Sequence, residues 1–525
     1  MIDMGEKDIA GNRSRAKLLM VQGTGSSVGK SVLVAGLCRY FARQGVAVAP
    51  FKAQNMALNS FITPEGHEMG RAQVVQAEAC GLTPNVHMNP VLIKPNSDVG
   101  AQVIVHGVPI GNMSAAAYHQ YKEKAWEAVQ KSFSFLQAGY ELIIIEGAGS
   151  PAEINLRDHD IVNMGLATRV GAPVLLAGDI DKGGVFASLV GTMELLAPKE
   201  RALIKGFVIN KFRGDRRLLE PGLETISRRC RVPFVGVVPY FRDLYLPEED
   251  GVAVEEYGRD SGPGRSSGAE KLLIAVIKLP HISNFTDFDP LGQETDVQLD
   301  YLQPEEDFSV YDLVIIPGSK NTLADLRQLI QAGFNRRLAA FAAAGGAVAG
   351  ICGGYQMLGT LINDPHQVET SMGKIAGLGL LAVETELAPD KVTVQSVGEL
   401  AADCWPAMAG IKVSGYEIHM GRTRLLTAAR PLLRVAGSNA EADHHDGAVN
   451  DEGTVWGTYF HGIFDNDDFR RRYLNELKQR RFGERTEYLP TVSFAARKEK
   501  GLDALADLLV ESLDMQAIIT IIEHS

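Results

Sequence analysis

The sequence predicts an α/β protein made of two unlike domains, each with a mostly parallel, doubly wound sheet, and three observations carry that expectation. Short β-branched runs alternate with longer helical stretches, the pattern of strands joined by helical crossovers. The pattern stops and restarts around residues 255–271, EEYGRDSGPGRSSGAEK, which are poor in large apolar side chains and rich in Gly, Ser and charge, as a linker is. The length of 525 residues is also too much for one hydrophobic core, at about 100 to 200 residues per domain.

In chain order, KLLMVQ (17–22) reads as a strand, SVLVAGLCRYFARQG (31–45) as a helix and VAVAPF (46–51) as a second strand. ELIIIEG (141–147), APVLLAGD (172–179), KGFVINK (205–211) and VPFVGVVPYF (232–241) continue the strand series. After the linker, LLIAVIKLP (272–280) and YDLVIIPGS (311–319) are strands, and residues 336–359 read helix, strand, helix. The expected division is 16–250, a linker at 251–271, a second domain at 272–490 and a helical extension at 491–525. No repeat at a 20 to 50 residue period suggests a solenoid.

Composition narrows the function classes. Hydrophobic residues at 45% and charged residues at 22% are ordinary globular values. A formal charge of −12 disfavours nonspecific binding to nucleic acid or anionic membrane and leaves anion binding to local sites. The five cysteines, Cys38, Cys80, Cys230, Cys352 and Cys404, have no CxxC spacing, so a reducing cytoplasm is expected rather than a disulfide or zinc framework. The first fifteen residues lack the apolar core of a secretory signal, and no run reaches the roughly 18 apolar residues of a membrane span.

After the first strand stands Gly23-Thr-Gly-Ser-Ser-Val-Gly-Lys-Ser31. Small residues there let backbone N–H groups turn inward at a helix start, which is a phosphate cradle. The candidate nucleotide contacts are Thr24, Gly25, Val28, Gly29, Lys30 and Ser31, with Lys30 on the β- and γ-phosphates and the Ser31 hydroxyl on magnesium. Relative to the strict G-x4-G-K-[ST] pattern, position 24 is Thr and the first glycine comes one residue earlier, a loop that resembles the dethiobiotin synthetase branch of P-loop proteins. ELIIIEG delivers Glu146 to the carboxyl edge of the sheet, where ligands bind in open α/β folds; it is either a magnesium ligand or a solvated strand-end carboxylate. GFVIN delivers Asn210, either a reader of the purine or a turn former. The loop Asp179-Ile-Asp-Lys-Gly-Gly184 joins the same rim, serving phosphate or acceptor.

In the second domain, Gly350-Ile-Cys-Gly-Gly354 places Cys352 between a short strand and a helix, a nucleophile elbow with sulfur for oxygen. The helix start activates the thiol and offers the Gly353 N–H to an oxyanion. Late in the domain, VWGTYFHGIFDN places His461 after an apolar strand, as acid and base for Cys352. Pro317-Gly-Ser-Lys320 offers a second oxyanion donor at Gly318. His444 and His445 are adjacent in a loop and usually face opposite ways, a poor metal site.

Strand, GxCxGG elbow, helix and late histidine resemble a class I, triad-type glutamine amidotransferase. Joined to the ATP domain, the stretches FKAQNMALNS (51–60), EMGRAQ (68–73), MNPVLIKP (88–95), EGAGSPAEINL (146–156), LPHISNFTDFDPL (279–291), IIPGSKNT (315–322), GYEIHMG (415–421) and GTYFHGIFDN (457–466) are similar to the cobyric acid synthase family of cobalamin biosynthesis. A sister family, cobyrinate a,c-diamide synthase, shares the architecture. The resemblance implies that Cys352 and His461 release ammonia from glutamine, and that ATP and magnesium activate corrinoid carboxylates for amidation. The implied acceptor is adenosylcobyrinate a,c-diamide, amidated at its b, d, e and g side chains, with an internal route for ammonia. Triad amidotransferases carry Glu two residues after the histidine, whereas this chain has Ile463. A dyad is therefore expected, with another group orienting His461; Glu417 is one candidate. A different class, a P-loop switch with an inert amidotransferase-like domain, would not need both Cys352 and His461.

Overall fold

The computed structural model describes residues 15–95, 100–241, 245, 271–401, 405, 408–427, 429–436, 443–483 and 489–525. Nearly all of the expected linker, 251–270, and Cys404 lie outside the described residues.

The first sheet has six strands in the order Phe234–Pro239, Ile204–Phe212, Val174–Asp179, Lys17–Gly23, Leu142–Glu146 and Val48–Phe51. All neighbours run parallel, and their aliphatic runs are buried because crossover helices cover both faces. Chain order reverses around Lys17–Gly23, so the crevice beyond its carboxyl end is the ligand position. Register fixes what meets there: Val21 lies opposite Glu146, Gly23 opposite Ala177, and Asp179 opposite Asn210. Glu146, Asp179 and Asn210 therefore share one edge with the glycine-rich loop.

Helices Phe494–Ser512 and Met515–Glu523 do not stay with the second domain, whose sheet precedes them in the chain. Leu505, Leu509, Leu513, Ile518 and Ile522 join the core under helix Lys30–Arg43. Arg39 pairs with Glu499 and Asp503 across the same contact. Each fully buried Leu or Ile contributes about 1.5 to 3 kcal/mol relative to exposure, which is what returns this extension to the first sheet.

The second sheet runs Val297–Leu302, Leu272–Ile277, Leu313–Ile316, Ala347–Ile351, Val455–Thr458 and Ala448–Val449, parallel except for the last pair. Its carboxyl edge carries Gly318, Cys352 and His461. A long antiparallel pair, Val383–Leu400 with Lys412–Leu425, reaches from this domain to the first. There Thr393 Oγ1 donates to the Gly66 carbonyl (2.9 Å) and Lys391 Nζ meets Glu68 (2.6 Å).

Candidate active sites

The glycine-rich loop is held in place from beneath. Gly29 sits at φ +91°, and a Cβ there would stand 2.1 Å from Asn210 Nδ2, so position 29 admits only glycine. Asn210 Nδ2 donates to the Val28 carbonyl at 2.8 Å. The amide expected to read a base is thus spent, on its nitrogen side, on supporting the loop. Lys30 Nζ donates to the carbonyls of Gly25 (2.9 Å) and Gly149 (3.1 Å), bridging the loop to the turn after Glu146. Lys30, Ser31, Glu146, Asp179 and Asn210 line one cavity of about 1080 Å³.

Glu146 is not solvated: it is fully buried and gathers four donors. Oε1 accepts from Ser31 Oγ (2.9 Å) and Lys52 Nζ (2.7 Å); Oε2 accepts from Gln76 Nε2 (2.5 Å) and Gln73 Nε2 (3.4 Å). Buried carboxylates persist when paired and hydrogen-bonded in this way. Magnesium fits the arrangement. Ser31 and Glu146 present hard oxygens within reach of one ion, and the neighbouring Gln76 Oε1 is buried without a partner.

The thiol site is a strained elbow. Cys352 adopts φ 51°, ψ −109°, a conformation that costs a non-glycine residue of order 1 to 3 kcal/mol and clusters at functional sites. The turn fits because Gly354 follows: a Cβ there would lie 1.9 Å from the Ile316 carbonyl oxygen. Cys352 Sγ lies 3.6 Å from the Ile418 carbonyl. His461 is buried beside Cys352, and its Nδ1 donates to Asp287 Oδ2 at 2.6 Å. Burial opposes charge on this imidazole, but the Asp287 carboxylate and the Cys352 sulfur outweigh it and push its pKa up to about 10.

Two expectations are corrected here. Glu417 does not orient His461: its oxygens accept from Ser396 Oγ (2.6 Å) and His419 Nε2 (3.2 Å), and the orienting group is Asp287. Ile463, at the usual glutamate position, is buried. Gly318 adjoins His461, but its N–H belongs to the ladder with Ile282–Ser283. Lys320 N donates to His281 O (2.9 Å), and antiparallel bonding alternates, so Gly318, opposite Ser283, also points its N–H at that strand. Ser319 N–H faces the other way, and a Cβ on Gly353 would stand 2.9 Å from it. Ser319 N–H and Gly353 thus lie side by side at the elbow. His444 and His445 are exposed on the strand His444–Asp446, remote in role from either site.

The two domains touch beside the thiol site. Asn284 Nδ2 donates to the Ser60 carbonyl (3.1 Å) and to Tyr416 Oη (2.8 Å), while Tyr416 Oη reaches Ser60 O at 3.1 Å. Tyr416 in turn stacks on His461, ring centroids 5.3 Å apart.

Comparison with known proteins bears on this arrangement directly. Residues 19–254 match the CobQ/CobB/MinD/ParA nucleotide binding domain, and residues 273–469 match the CobB/CobQ-like glutamine amidotransferase domain. The chain is 48% identical to a cobyric acid synthase of Syntrophobacter fumaroxidans over 97% of this chain and 99% of that one. It is 49% identical to the Clostridium botulinum protein of that name, over 96% and 99% of the two chains. The Desulfitobacterium hafniense protein is also 49% identical, over 97% and 98%. The chain belongs to the cobyric acid synthase family.

Family membership brings the reaction class, a glutamine-hydrolysing carbon–nitrogen ligase, and it gives the unanticipated residues a context. Lys52 lies in the FKAQNMALNS stretch and Asp287 in LPHISNFTDFDPL, two segments by which the sequence resembles the cobyric acid synthase family. That resemblance was the available signal, since neither residue sits in a motif that announces its partner. Among the described residues no helix is long and apolar enough to cross a membrane.

Proposed function

We propose that this chain amidates the b, d, e and g carboxylates of adenosylcobyrinate a,c-diamide to give adenosylcobyric acid, using ATP and the side-chain nitrogen of glutamine. The observation that carries the reading is the pairing, in one chain, of a phosphate-binding cavity with a thiol–imidazole–carboxylate site. Ammonia does not displace oxide from a carboxylate but does displace phosphate from an acyl phosphate, so an ammonia source and a phosphoryl site belong together.

In the second domain, Cys352 sulfur attacks the glutamine side-chain carbonyl, and the oxyanion takes hydrogen bonds from the Ser319 and Gly353 N–H groups. His461, held by Asp287, gives its Nε2 proton to the departing nitrogen, then draws one from the water that clears the thioester as glutamate. In the first domain, a corrinoid carboxylate oxygen attacks the γ-phosphorus of ATP, and ADP leaves. Lys30 neutralises β- and γ-phosphate charge, and Asn210 keeps the loop in shape. Ser31 and Glu146 would hold magnesium, which when bound would supply charge neutralisation for phosphoryl transfer. Ammonia then adds to the acyl phosphate and phosphate departs. The four described cysteines are free, which suits a cytoplasmic enzyme.

The test is the purified protein with ATP, magnesium, glutamine and adenosylcobyrinate a,c-diamide, followed by mass spectrometry of the corrinoid. Successive amides matched by glutamate and ADP are expected. Glutamate and ADP without amide, or amidation of cobyrinate at a and c instead, would overturn the assignment. The inert-domain alternative fares badly against the placing of Cys352 beside the hydrogen-bonded His461–Asp287 pair, which a purely binding domain has no need to keep.

A further inference from the structure

The glycine-rich loop supplies only part of the cavity's lining. At about 1080 Å³ the cavity is larger than the roughly 300 to 1,000 Å³ of a usual small-molecule pocket, and the rest of its lining is chemically different. Met56 and Leu156 line it while 60% and 44% exposed, and large apolar side chains bared at a cavity mouth mark a binding surface. Between them in character stands Lys122, on helix Ala115–Gly139. One turn earlier, Tyr118 Oη donates to Gln54 Oε1 at 2.5 Å, which fixes this helix face against the strand Gln54–Met56 that carries Met56.

The cations of this cavity are not equivalent. Lys30 is engaged by the Gly25 carbonyl and Lys52 by Glu146, Lys211 pairs with Asp179, and Arg157 pairs with Glu200. Lys182 is exposed to water. Lys122 is half-buried and, among the described residues, has no hydrogen-bond or ion-pair partner. Burial disfavours its charge, with Asp160 the opposing influence. Asp160 does not clamp it, because Oδ1 accepts from the N–H groups of Val162 and Asn163 (2.8 Å each) and Oδ2 from Gly165 (2.8 Å). A partly desolvated ammonium facing a cavity is a site for an arriving anion.

We propose that the part of the cavity lined by Lys122, Met56 and Leu156 is the acceptor subsite, where Lys122 receives a peripheral carboxylate of the corrinoid, one not under phosphorylation, and Met56 and Leu156 support the apolar face of the macrocycle. The assignment rests on the amidation reading above and adds a positioning residue to it. A polycarboxylate whose acids react in turn needs such a handle, since one acid must sit at the γ-phosphate while another is held.

The experiment is equilibrium binding of adenosylcobyrinate a,c-diamide to the full chain without ATP or glutamine, followed by steady-state kinetics, for wild type, Lys122→Gln, Lys122→Arg and Met56→Ala. Loss of a charge-assisted hydrogen bond should weaken corrinoid binding about tenfold or more in Lys122→Gln, and corrinoid KM should rise with it. The loss at saturating corrinoid should be smaller. KM for ATP should hold, Lys122→Arg should recover most of the affinity, and Met56→Ala should lose several-fold. Wild-type corrinoid affinity in Lys122→Gln would overturn the subsite while leaving the amidation reading intact. A matching loss of ATP affinity would also overturn it, by giving Lys122 to the nucleotide. Failure of the wild type itself to bind corrinoid would instead sink the reading on which the subsite rests.

Discussion

Replacing Asp287 by asparagine removes a carboxylate from His461 Nδ1, 2.6 Å away, and changes almost nothing in shape. The imidazole is held at about 10 against an ordinary 6.5. Because a tenfold change in acidity is worth about 1.4 kcal/mol, the imidazolium is stabilised by roughly 5 kcal/mol overall. Burial works against it, and Asp287 is the larger of the two favourable charges, ahead of Cys352. If about half of that stabilisation comes from Asp287, Asp287→Asn should lower glutaminase kcat by about two orders of magnitude. The sign with pH follows. A folded-state value raised above the unfolded one contributes stability that is complete below about pH 6.5 and is lost as pH rises through about 10. Wild-type glutaminase should therefore keep its acid to near pH 10, while in Asp287→Asn the alkaline limb should move toward pH 6.5. The assay is glutamate release from glutamine across pH, with ammonia-dependent amidation as the control for an intact first domain. A variant within threefold of wild type with an unmoved alkaline limb would refute Asp287 as the orienting group.

Cys352→Ala should abolish glutamine-dependent amidation and spare amidation from high ammonia, because the thiol only supplies nitrogen; equal loss with both donors would remove Cys352 from the glutaminase role. Lys30→Ala should stop amidation with either donor, read as ADP and corrinoid product, since the β- and γ-phosphates lose their cation; normal ammonia-dependent turnover would contradict the loop assignment. Glu146→Gln should weaken the magnesium dependence of ATP turnover and also lower stability. Its new amide N–H would face the Lys52 and Gln76 donors, and breaking a buried ion pair costs about 3 to 5 kcal/mol, so calorimetry should show a lower Tm, and an unchanged magnesium titration with unchanged Tm would return Glu146 to a passive role.

The parts of this molecule legible in sequence are those where one short segment contains both the geometry and the chemistry. Gly23–Ser31 and Gly350–Gly354 are of this kind, because glycine is demanded by backbone crowding and the reactive side chain stands beside it. Partners supplied by the fold are not legible. Asp287 is 174 positions from His461, and Lys52 is 94 from Glu146. The choice between Gly318 and Ser319 depends on strand register, where a step of one residue reverses every N–H. The chemistry of Asn210 was legible but its direction was not, since an amide at a strand end can face the ligand or the loop beneath it. The last helices could be read as helices, but their apolar faces did not tell which sheet they cover.

The surroundings of His461 are not built by its own domain alone. Asp287 N donates to Asn284 O (3.0 Å), Asn284 sits at φ 52°, and its side chain is fixed by Ser60 and Tyr416. The same Tyr416 exchanges backbone bonds with His461, 3.2 Å in one direction and 2.9 Å in the other. Ser60 thus anchors both the residue that stacks on the imidazole and the turn that presents its carboxylate. Ser60 follows by four residues Met56, which lines the synthetase cavity. A buried imidazolium needs its partners placed closely, because an uncompensated charge in such a site is costly. The short segment from Met56 to Ser60 therefore joins the cavity where the acceptor subsite is proposed to the residues that fix the surroundings of His461.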